Sequence, residues 1–116
     1  MEFYEKVFGL SPKFVSDKAE YGELDTGNTI LAFANSEFIR NQLHGGFVES
    51  RISAPPLGCE IAFATDDVQG LFDAAVKAGA QKVKEAEQKP WGQTVAYVRD
   101  LDGFLVEICT PMGNNS

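Results

Sequence analysis

The sequence predicts an α+β fold of paired βαβββ modules, the first lacking its opening strand. Three observations carry the modular plan. Val68, Leu71, Phe72, Ala75 and Val76 fall at i, i+3, i+4, i+7 and i+8, the apolar stripe of an amphipathic helix. Short apolar segments with strand character stand on either side of that helix. The segments FYEKVFGL (3–10) and FDAAVKAGA (72–80) share a pattern of helix end, glycine and extended continuation, so the plan recurs near the start of the chain.

In the first module, residues 1–34, a helix occupies 3–8 and closes at Gly9. Residues 13–16 are a short extended segment. Strands follow at 21–25 and 29–34, with Thr26-Gly27-Asn28 as the hairpin signal between them. The second module, residues 59–116, opens with a strand at 60–65. Asp66 and Asp67 suit the start of the next helix, where exposed amides and the dipole favour negative charge, and Gly79 suits its end. Residues 81–85 are extended, and Lys89-Pro90-Trp91-Gly92 is a turn. Strands at 93–98 and 104–109 flank Asp100-Leu101-Asp102-Gly103, a run of turn formers whose glycine can take positive φ. Residues 35–58 form a connector with a short helix at 36–43, then Gly45-Gly46 and Ala54-Pro55-Pro56. Connectors of this length join units or cover a site. The modules are expected to make one compact domain.

Composition narrows the partners. The 116 residues are 44% hydrophobic and 23% charged, which suits a folded chain and excludes disorder. Ten Lys and Arg against 17 Asp and Glu leave a net charge of −7. Nucleic-acid binding needs a basic surface to displace counterions, and anionic membranes repel an acidic one, so neither partner is expected. A small-molecule ligand, cationic or neutral, is compatible. No apolar run approaches the roughly 20 residues that span a bilayer, and residues 1–6 have no signal-peptide character, so a cytoplasmic location is expected. Cys59 and Cys109 spell no metal or redox motif. Strand parity sets them on opposite faces, so free thiols are expected.

The chemistry-bearing residues are few. Parity places Glu60 with Ala62 and Ala64, and Glu107 with Leu105 and Cys109, each away from the bulky apolar positions that suit the helix-covered side. Both glutamates therefore face the open side of their strands. Trp91, Gln93 and Tyr97 precede or lie on one face of the next strand and suit contact with a flat ligand. Phe33, with Phe38 and Phe47, suits either ligand contact or core filling. His44 is the sole histidine and sits in the connector. Arg40 and Arg99 suit an anionic group, or simply solvent. Asp100-Leu101-Asp102-Gly103 lacks the spacing and terminal glutamate of an EF-hand calcium loop.

FYEKVFGL, Glu60-Ile61-Ala62-Phe63 with Asp66-Asp67-Val68, and above all Asp100-Leu101-Asp102-Gly103-Phe104-Leu105-Val106-Glu107-Ile108 resemble the vicinal oxygen chelate superfamily, which includes glyoxalases, bleomycin-resistance proteins and extradiol dioxygenases. The resemblance implies that the paired modules form a curled mixed sheet around a cavity, with a divalent metal (Ni, Zn, Mn or Fe) in metal-using members. Glu107 matches a metal ligand and catalytic base. Glu60 stands where a histidine is common. The corresponding last-strand position of the first module falls at Leu31 or Ala32, which hold no metal, and its first-strand position is missing. With the strands of Glu60 and Glu107 side by side, as the resemblance implies, their carboxylates meet. One then holds a proton or a cation sits between them.

Three functions follow. The first is a small-molecule-binding protein of the bleomycin-resistance type, without a complete metal site in one chain. The second is a metal-dependent lyase, isomerase or dioxygenase using Glu107, with other ligands from a partner chain. The third is a non-catalytic assembly scaffold. Whether the chain is an enzyme stays open. The missing strand implies an uncovered sheet edge and hence a homodimer.

Overall fold

The computed structural model describes residues 1–111; the last positions of the second predicted module, 112–116, lie outside the described residues. The chain is α+β, with three helices and seven strands among those residues, in two sheets with no closed barrel. Two compact units divide it, Met1–Glu49 and a second that begins at Ser50.

The first unit runs α1 (Glu2–Phe8), β1 (Ser11–Val15), β2 (Tyr21–Asp25), β3 (Ile30–Ala34) and α2 (Ser36–Arg40). Its sheet has the order β1-β2-β3, antiparallel throughout. α1 stops because Gly9 takes φ 69, a left-handed conformation that glycine adopts without a Cβ penalty, and its N–H closes on the Glu5 carbonyl. Tyr4 of α1 packs against Phe33 of β3, with centroids 5.3 Å apart, and Leu24 of β2 is fully buried. Tyr21, Glu23 and Asp25 alternate with the buried residues of β2 and so occupy the opposite, open face. α2 is shorter than the 36–43 expected from sequence. Its start is fixed by the Asn35 side chain, which accepts hydrogen bonds from the Glu37 and Phe38 amides.

The second unit runs β4 (Glu60–Ala64), α3 (Val68–Lys77), β5 (Gln81–Gln88), β6 (Thr94–Arg99) and β7 (Leu105–Cys109), the βαβββ order expected. The sheet order is β4-β7-β6-β5, with β4 parallel to β7 and the other pairs antiparallel. Asp67 caps α3 by accepting a bond from the Gly70 amide at 2.9 Å. The helix lies against β5, β6 and β7. Phe72 and Ala75 on its stripe are buried, as are Ala96, Val98, Val106 and Ile108 on the sheet face it covers. β5 reaches three residues beyond the expected 81–85.

Arg99 corrects a sequence expectation. Offered there as an exposed or anion-binding side chain, it is buried at 8% exposure. Its Nε donates to the Gly103 carbonyl at 2.8 Å, its Nη2 to those of Arg51 at 3.0 Å and Ala54 at 2.6 Å, and its Nη1 to that of Ile52 at 3.5 Å. Ser50 adds a bond from its hydroxyl to the Asp102 carbonyl at 2.9 Å. The end of the connector is thereby tied to the β6–β7 turn. Gly103 makes room for this: it has φ +86, and a Cβ there would stand 2.7 Å from the Arg51 carbonyl carbon.

Candidate functional site

The parallel pairing of β4 with β7 creates the site. Register sets Glu60 opposite Leu105, Ala62 opposite Glu107 and Ala64 opposite Cys109, while β6 places Tyr97 on the other side of Glu107. All of these lie on the face away from α3, because the alternate residues Val98, Val106 and Ile108 fill the core. Glu60 is thus diagonal to Glu107, one pleat away, and the two carboxyls meet in a hydrogen bond. That bond, then burial and repulsion from Glu107, raises the Glu60 pKa from 4.5 to about 7. Two carboxyls share a hydrogen bond only when one keeps its proton, so the pair carries one proton near neutrality.

The neighbours fit this picture. The Tyr97 hydroxyl donates to Glu107 Oε1 across a long 3.5 Å. Burial first, then the charges of Glu107 and Glu60, push the Tyr97 pKa upward, so the phenol stays neutral. Cys109 is buried in the next row, and burial followed by the Glu107 charge raises its thiol pKa. It is therefore a poor nucleophile. Sequence reasoning placed Cys109 on the face of Glu107 but gave it no part in the cluster. The signal was its position two residues after Glu107 on the same strand.

The pair has a consequence for stability. A carboxyl whose pKa is higher folded than unfolded supports the fold below its unfolded value, near 4.5, and that contribution is lost as pH rises through about 7. Melting temperatures are expected to fall between pH 5 and pH 8, and Glu60→Gln is expected to shrink that fall. An equal pH dependence in the variant would show that the pair does not carry the linkage.

The other sequence candidates separate. Gln93 precedes β6; its Oε1 accepts from Trp91 Nε1 at 2.8 Å and its Nε2 donates to the Thr110 carbonyl at 2.8 Å. Trp91 is exposed at 62%, its ring oriented by that bond. Gln93 and Tyr97 are four residues apart, roughly 13 Å along a strand, so a ligand touching both Trp91 and Glu107 must be long. Phe33 lies on the covered face of its sheet against Tyr4, which is core packing rather than the open face. His44 is exposed in a turn of the first unit. Arg40 pairs with Glu49 at 3.3 Å and stands over the Phe47 ring at 5.5 Å. Both cysteines are free, Cys59 exposed and Cys109 buried.

The donor set does not fit a divalent centre of three or four ligands. The open face of the second unit supplies two carboxyls that share a proton, a neutral phenol and a protonated thiol. Among the described residues no group of three or more His, Cys, Asp or Glu side chains is arranged to hold a metal ion.

Comparison with known proteins agrees with this architecture. The chain is 27% identical over 109 residues to protein YraH of Bacillus subtilis (strain 168), a match that covers 93% of this chain and 84% of YraH. A glyoxalase-related enzyme from Fulvimarina pelagi is similar in structure with a TM-score of 0.79 at 27% identity, covering 98% of this chain and 82% of that one. A glyoxalase/bleomycin resistance protein/dioxygenase family enzyme from Burkholderia phytofirmans PsJN shares the fold with a TM-score of 0.75 at 23% identity, over 94% of this chain and 85% of that one. The sequence model of the Glyoxalase/Bleomycin resistance protein/Dioxygenase superfamily matches residues 1–108, α1 through β7, and the chain belongs to that superfamily.

Proposed function

We propose that the chain binds a small cationic molecule on the open face of the second unit's sheet, with Glu60 and Glu107 as the polar anchor. One observation carries the reading: the Glu60 and Glu107 carboxyls stand diagonally on adjacent strands, facing away from the core, close enough that Glu107 raises the Glu60 pKa to about 7. A cation with two N–H donors replaces that proton and gives each carboxylate a charge-assisted hydrogen bond. Tyr97 beside Glu107 offers an aromatic wall. The net charge of −7 favours the approach of such a ligand.

Benzamidine serves as the probe, because its amidinium stays cationic across the relevant range. Its affinity, measured by calorimetry, is expected to tighten about tenfold between pH 6 and pH 8, as one proton with a pKa near 7 must leave. Glu60→Gln and Glu107→Gln should each weaken binding and flatten the pH dependence. Affinity that ignores both pH and the substitutions would reject the reading. Superfamily members often bind divalent metals, so Mn²⁺ and Ni²⁺ are titrated in parallel. Micromolar metal binding lost in Glu107→Gln would favour the metal-dependent alternative instead.

A further inference from the structure

The first unit carries a second cluster, on a face that its core does not use. Tyr21 and Glu23 of β2 point away from Leu24, and the Tyr21 hydroxyl donates to Glu23 Oε2 at 2.8 Å. The Phe14 ring stands 6.3 Å from that of Tyr21 at 51°, and Phe38 of α2 stands 6.4 Å from Tyr21 at 44°. Tyr21 therefore adjoins two tilted rings, Phe14 and Phe38, and its hydroxyl orients one carboxylate beside them.

The placement of Phe14 depends on an irregularity. Pro12 pairs with Leu24 and Phe14 pairs with Glu23, so β1 has one residue more than β2 over this step. Without that bulge Phe14 would stand opposite Gly22, on the α1-covered face. Bulges re-aim side chains. Here the bulge turns a phenylalanine outward, leaving it 50% exposed, where it gains little as core. Beside Glu23 stands Ala32, its register partner on β3, which adds only a methyl group to that face. The unit already engages one cation with a ring, since Arg40, its sole arginine, stands over Phe47.

We propose that Phe14, Tyr21 and Phe38, with Glu23, form a binding site for a quaternary ammonium group. Such a cation has no N–H to donate and is recognised by ring faces and a nearby negative charge. That chemistry differs from the carboxyl pair on the second unit, which suits a cation with N–H donors. The tilted rings supply the first element of recognition. The Tyr21 hydroxyl fixes the Glu23 carboxylate, which supplies the second. This inference does not rest on the function proposed for the Glu60–Glu107 pair.

Choline, and its neutral isostere 3,3-dimethylbutan-1-ol, test it on the intact chain by NMR titration of the aromatic side-chain signals. Choline is expected to shift the signals of Phe14, Tyr21 and Phe38 saturably, with the isostere at least fivefold weaker. Phe14→Ala and the isosteric Glu23→Gln should each weaken choline at least fivefold, on the scale of a partly exposed cation–ring contact. Unchanged backbone amide spectra confirm that each variant stays folded, and Glu23→Gln covers the case in which Phe14→Ala does not. Glu60→Gln should leave choline binding unchanged. Equal binding of the neutral isostere, no saturable shifts, or loss of choline binding in Glu60→Gln but in neither variant of the first unit overturns the proposal.

Discussion

Replacing Arg99 with methionine is expected to destabilise the second unit by about 3 kcal/mol, the scale of losing several hydrogen bonds from one buried charged donor. Arg99 is 8% exposed, and its guanidinium serves four carbonyls, those of Gly103, Arg51, Ile52 and Ala54. Methionine keeps much of the volume and none of the donors. The carbonyls of the connector can regain water once it lifts, which holds the loss below the sum of four charged bonds. Arg99→Lys keeps the charge without the planar fork and should fall between the two. Urea denaturation followed by Trp91, the sole tryptophan, reads the effect, and amide exchange at 51–54 should quicken first. A change under 0.5 kcal/mol would mean that the four bonds merely decorate a segment held by other contacts.

The same residue shows where the sequence was and was not legible. The helix 68–77 and the strands around it were readable because apolar period and parity decide them locally. Glu60 and Glu107 were readable as open-face residues for the same reason, and their approach followed once β4 and β7 were side by side. The partners of Arg99 were not readable. All are main-chain carbonyls, three of them 45 to 48 positions earlier, and a carbonyl leaves no mark in a sequence. The full length of β5 escaped because QKVKEAEQ has no apolar alternation. It is an edge strand, irregular in register between Lys82 and Lys84 and between Lys84 and Glu87, with ion pairs Lys82–Glu85 and Lys84–Glu87 along it. The bulge that turns Phe14 outward escaped too, since one extra residue in Ser11–Val15 reverses the parity on which face assignments rest. Phe33 was legible only as suited to ligand contact or to core filling, because aromatic content alone does not say which side of a strand is covered; its packing on Tyr4 is the core-filling alternative.

Phe72→Ala is expected to cost 3–5 kcal/mol, about the range for removing a buried phenylalanine. The ring is 1% exposed on the α3 stripe, and the sheet face beneath that helix carries Ala96, Val98, Val106 and Ile108, each fully buried. These residues alternate along β6 and β7 with Tyr97 and Glu107, so one packed layer fixes the strands that present the site on the other face. A void under α3 lets β7 move relative to β4, and the Glu60–Glu107 bond needs their register. Two readouts should therefore move together. Chemical denaturation gives the stability loss, and a carboxyl NMR titration should show Glu60 drifting from about 7 toward its ordinary 4.5. Phe72→Leu, which keeps most of the volume, should lose far less stability and retain the raised pKa. A large stability loss with the Glu60 titration unchanged would show that the carboxyl pair is held by its own strands and not by the core behind them.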